Sequence, residues 1–156
     1  MSKVIYLKME PYLRQWFIHE NGGEVPVHLR RGTPESDIFQ AFISKAPEGW
    51  VATPEEGSVP IVVPMYKSLN PENWCYLPPR AMQTLYNCIK ASFDVQLFQE
   101  LNAIGQKGTL LSDLIYSFME KHGIEDDQTN WHTLAKIFMR KRKSYMANVR
   151  RKRKKR

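Results

Sequence analysis

At 156 residues and 18.3 kDa, with 42% hydrophobic residues and 12% aromatics, the chain is too apolar for intrinsic disorder and long enough to bury a core. Its net charge of +7 is unevenly spread: residues 1–135 hold all 16 acidic side chains against 11 Lys and Arg, whereas 136–156 hold 12 cations and no acid. Cys75 and Cys88, with no CxxC or metal-ligand spacing, argue against a disulfide framework and for a reduced intracellular protein, and neither a secretory leader nor a membrane-length apolar run is visible.

In chain order, KVIYLKM (3–9) and YLRQWFIH (12–19) predict strands, and VPVHL (25–29) predicts a third. Asn21-Gly22-Gly23 tolerates positive φ, so a hairpin joining 12–19 to 25–29 is expected. Thr33-Pro34-Glu35-Ser36 reads as a helix start, with Thr33 as N-cap and Pro34 in the first turn. That helix is expected to run to about Lys45 and bury Ile38, Phe39, Phe42 and Ile43. After a Pro- and Gly-rich loop, VPIVVPMY (59–66) predicts a short or edge strand because it carries Pro60 and Pro64.

Beyond residue 78 the pattern turns helical. Pro79 opens a helix through Leu85 and Ile89, with Ser92 as a cap for its continuation and the stretch from Gly105 to Gly108 as its stop. Residues 109–122 form a second amphipathic helix ended by Gly123, and a third begins near Asn130, capped by Thr129 or Asn130. The fold expected is α+β: a small antiparallel β region followed by a helical region that ends in a basic helix. The corresponding division is a β-rich region with one helix over 1–77, a helical region over 78–149 and a basic tail over 150–156.

The basic run carries the functional signal. Trp131, Leu134, Phe138, Tyr145 and Val149 keep one stripe apolar well into it, so the third helix packs by its first turns and projects positive charge by its later ones. Lys136, Arg140, Lys141, Arg142, Lys143, Arg150, Arg151, Lys152, Arg153, Lys154, Lys155 and Arg156 are the candidate nucleic-acid contacts. Arg140, Lys143 and Asn148 are the candidates for base edges, and the seven cations from Arg150 onward are suited to phosphates. Such a run of like charge resists continuing a helix unless anions neutralise it, which nucleic-acid phosphates do.

Other readings of the run are a solvated end, an anionic membrane surface, an acidic protein partner, or a two-part nuclear-import signal built from KRK (141–143) and RRKRKKR (150–156) in a eukaryotic cell. A strict helix-turn-helix is disfavoured, because residues 123–129 are too long a link for its tight turn. The overall layout, together with WHTLAKIFMRKRKSYMANVRRKRKKR (131–156), resembles the small DNA-binding proteins of bacterial prophages and mobile elements. The resemblance implies a cytoplasmic bacterial protein that acts by binding DNA.

No phosphate loop, nucleophile elbow or zinc-protease motif is present, and His19, His28, His122 and His132 are dispersed as structural histidines would be. Neither catalysis, a cofactor nor a metal is expected. Duplex DNA is the expected partner, ahead of RNA, which would need a platform of aromatics such as Tyr6, Tyr12, Trp16 and Phe17. An adaptor tethered to nucleic acid by its tail is the alternative role. A second copy of the chain is a further expected partner, because pairing two tails adds avidity.

Overall fold

The computed structural model describes residues 3–105 and 110–155. The fold is α+β, with an antiparallel pair of strands in the first part of the chain and helices after it. In order the elements are β1 (Val4–Lys8), α1 (Pro11–Glu20), α2 (Pro34–Phe42), β2 (Ser58–Val62), α3 (Pro79–Gly105), α4 (Leu111–Lys121) and α5 (Gln128–Lys154). They make two compact units, Met1–Lys90 and Ala91–Arg156, and α3 contributes to both. The expected division at 77/78 precedes α3, whereas the units part inside it, since the fully buried Leu85 and Ile89 belong to the first.

In the first unit, β1 pairs with β2 so that Ile5 faces Ile61 and Leu7 faces Val59. All four are buried, as alternation across a two-faced strand requires. Each such side chain gains about 1.5–3 kcal/mol by leaving water. Pro60 stands between Ile61 and Val59, opposite Tyr6; its carbonyl accepts from Val27 N–H at 2.8 Å, so its nitrogen points away from β1 and the missing N–H removes no bond from the β1–β2 ladder.

The expected hairpin over 12–19 and 25–29 does not form. Residues 12–19 lie within α1, opened by Pro11 in its first turn, and Tyr12, Leu13, Trp16 and Phe17 bury one helical face. Asn21-Gly22-Gly23 is the stop of that helix: Gly22 and Gly23 adopt φ of 105° and 80°, and Gly23 N–H donates to the Ile18 carbonyl at 2.9 Å. The third predicted strand shrinks to Val27, which bridges Ile61 in parallel through bonds of 2.8 and 2.9 Å. It is fully buried.

The helix start at Thr33 is as expected, with Ser36 N–H donating to Thr33 Oγ1 at 3.3 Å. Phe39 and Ile43 are buried, but Phe42 is 48% exposed, and α2 stops at Phe42 because Ser44 pairs with Tyr76 instead. α3 passes through Ser92 without a break, so that residue is no cap. The helix ends at Gly105, the first residue of its expected stop, and residues 106–109, which hold the remainder of that stop, lie outside the described residues.

The second unit is a helical packing of aromatics and aliphatics. Phe93 meets Phe118 edge-on at 5.9 Å, and Leu97, Leu101, Ile115, Met119 and Leu134 are almost completely shielded from water. His122 is also buried, with Nε2 3.0 Å from both Glu100 carboxylate oxygens and its ring 4.3 Å from that of Phe118. It is a hydrogen-bonded structural residue, as its isolation in sequence suggests.

Candidate nucleic-acid interface

The candidate site is α5, and its position follows from how the helix begins. Gly123 turns the chain at φ 70°, and Asp127 Oδ1 accepts from Asn130 N–H at 2.7 Å. The buried Asn130 in turn donates from Nδ2 to the Glu125 carbonyl at 3.0 Å. The cap is therefore Asp127, not Thr129 or Asn130: the acidic run supplies the capping side chain itself, and a carboxylate suits the positive end of the helix dipole. Asp127→Ala is expected to cost about 1 kcal/mol in urea unfolding, and Asp127→Asn, which keeps the acceptor, far less.

From this start Leu134 and Phe138 pack fully, and the ring of Phe98 lies 6.0 Å from that of Phe138 and 5.6 Å from that of Tyr145. Past Phe138 no described residue of α5 is buried. Tyr145 is 48% exposed and Val149 half-buried, so the apolar stripe continues in weakened form.

Helix persists to Lys154, so the expected separate tail over 150–156 is for the most part the last turns of α5. Three effects oppose like-charge repulsion there. Arg, Lys, Met and Ala are strong helix formers, full exposure lets water and salt screen the charges, and cations in the last turn favour the negative dipole end.

Lys136, Arg140, Lys141, Arg142, Lys143, Asn148, Arg150, Arg151, Lys152, Arg153, Lys154 and Lys155 are all exposed, while Arg156 lies outside the described residues. Among the described residues none of these cations has an ion-pair partner. At about 1.5 Å per residue, the stretch from Arg140 to Lys154 spans about 21 Å, and a helix of this diameter fits a major groove about 12 Å wide. Arg140 and Lys143 share a face, whereas Asn148 points about 140° away from Lys143 round the helix. The three candidates for base contacts are thus not brought together on one face.

Tyr12, Trp16 and Phe17 are core residues of α1 and Tyr6 is half-buried, so the aromatics proposed as a stacking platform for single strands do not form one. Residues 122–127 link α4 to α5, longer than the tight turn of a strict helix-turn-helix. Met139 and Met146, 51% and 46% exposed, were not among the expected site residues. Their seven-residue spacing off the buried stripe is the signal that marks them.

In the first unit, a cleft of about 640 Å³ is lined by Leu7, Met9, Pro11, Pro79, Met82 and Tyr86, and the Tyr86 hydroxyl donates to Glu10 at its wall. Cys75 is buried, and Cys88 is half-buried with its thiol pKa raised by burial and then by Glu35. No group of three or more His, Cys, Asp or Glu side chains is arranged for a metal among the described residues, and no helix there is long and apolar enough to cross a membrane. Comparison with protein-family models, with curated proteins and with solved structures finds no match to this chain.

Proposed function

We propose that this is a non-catalytic DNA-binding protein that holds duplex phosphates with the outer half of α5. The observation that carries the reading is the helical stretch past Phe138: ten exposed cations among the described residues from Arg140 to Lys155, without an acidic residue or an internal ion pair. A cationic helix of this kind matches the closely spaced phosphates of a duplex and gains affinity by releasing their counterions. Arg140 and Lys143 on one face are the side chains suited to reach base edges, and the cations from Arg150 to Lys155 hold the backbone.

Duplex is favoured over single-stranded RNA because binding of splayed bases needs exposed aromatic faces beside the cations. Tyr145, the aromatic of the basic stretch, is engaged with Phe98. The layout also supports the likeness to small DNA-binding proteins of prophages and mobile elements, which act in the bacterial cytoplasm. Fluorescence anisotropy of labelled duplex, single-stranded DNA and RNA of equal length tests the preference. Tightest binding to duplex DNA is expected; tighter binding to RNA transfers the reading to an RNA-binding protein, and binding to none transfers it to an adaptor for acidic proteins.

A further inference from the structure

We propose that Met139 and Met146 are specificity residues: in the major groove they contact thymine C5-methyl groups and give the protein a preference for thymine-bearing duplex. The inference rests on the proposed function and refines it. Both side chains are apolar, yet they are 51% and 46% exposed. At about 100° per residue, Met139, Lys143, Met146 and Arg150 fall within about 60° of one another round α5. Their stripe lies about 130° from the line of Leu134, Phe138 and Tyr145, along which the helix packs, so it points away from the core of the second unit.

Met139, Arg140, Arg142, Lys143 and Met146 line a shallow groove of about 450 Å³. Long cationic side chains lay their methylene stems beside apolar neighbours and hold the charge outward, so such a groove is apolar within and cationic at its rim. A single exposed apolar side chain is ordinary on a protein surface and calls for no explanation. Two on one stripe, seven residues apart and alternating with Lys143 and Arg150, form a pattern.

The alternation selects the occupant. A major groove presents thymine methyls among hydrogen-bond acceptors, between two rows of phosphates, so a stripe of alternating thioether and cation complements it in both shape and charge. From Met139 to Met146 the helix rises about 10 Å, the length of about three base steps. The two methionines can therefore meet two thymines in one pass of the groove, with Lys143 between them reaching an acceptor. A methionine side chain is pliable enough to follow a methyl group from one base step to the next. An anionic membrane is a poorer occupant, because Lys143 and Arg150 interrupt the continuous apolar face that a helix buries among acyl chains.

The test compares, by fluorescence anisotropy, the affinity of the full chain for a short A·T-rich duplex with that for the same duplex in which uracil replaces every thymine. The two duplexes carry the same phosphates, so counterion release cancels in the ratio of affinities. The wild type is expected to bind the thymine duplex at least about four-fold more tightly, the change for one methyl removed from water. Met139→Gln with Met146→Gln keeps the charge and the helix propensity and is expected to bind both duplexes equally. Equal wild-type affinities for the two duplexes, or a preference that survives both substitutions, overturns this inference and leaves duplex binding through α5 in place. Binding to neither duplex overturns the proposed function and this inference with it. Phosphatidylserine vesicles that displace the wild type from the thymine duplex, but not the methionine variant, would assign the stripe to a membrane and also overturn it.

Discussion

Replacing Arg150, Arg151, Lys152, Arg153, Lys154 and Lys155 by Gln is expected, on the proposed function, to lower affinity for duplex DNA by about 10²- to 10³-fold near physiological salt. These side chains are exposed and unpaired by carboxylates among the described residues, so each is available to a phosphate without first breaking an internal ion pair. Every cation removed also forfeits the release of about one condensed counterion, and the six effects compound. Gln sustains helix nearly as well as Lys and Arg, so circular dichroism is expected to show α5 intact. An affinity within a few-fold of the wild type would place the binding surface elsewhere.

Phe138→Ala is expected to have the largest effect on stability, about 3–5 kcal/mol in urea unfolding. Phe138 is the last fully packed residue of α5, with its ring 6.0 Å from that of Phe98, and Phe98 in turn reaches Tyr145 at 5.6 Å. Truncation leaves a cavity at the point where the helix leaves the packed core, and the neighbouring helices can close it only in part. Tyr145→Ala, at a site 48% exposed, should cost far less, because much of its ring is already in water. Equal costs at the two positions would mean that the anchoring of α5 is not graded along the helix in this way.

The features legible in sequence are those fixed by local chemistry. Thr33-Pro34 announces α2 because cap and first-turn proline act within four residues. Gly123 and the Leu114–Ile115–Phe118–Met119 spacing announce α4 in the same way. The two-task character of α5 is readable because its apolar stripe and its charge occupy different stretches of one helix.

What was not legible depends on choices between competing local signals. Residues 12–19 carry strong strand formers, yet apolar side chains at 12, 13, 16 and 17 also line one helical face, and Pro11 favours that outcome. The residues that tolerate positive φ serve equally as a hairpin turn or a helix stop, and only the Gly23 bond to Ile18 distinguishes them. β1 finds β2 across a long stretch of intervening chain, a pairing that no local pattern encodes. At the basic helix, the charge was plain, whereas the angular separation of Asn148 from Lys143 and the exposure of Met139 and Met146 required the helix phase and its packed neighbours.

The central claim, that the outer half of α5 grips phosphates, is tested most directly by the salt dependence of duplex binding in the wild type and the six-Gln variant. A log–log slope that steepens by about 0.9 for each phosphate contacted is expected for the wild type, with the variant's slope shallower by several such steps. Equal slopes for the two proteins, or wild-type binding that does not weaken with salt, would contradict it.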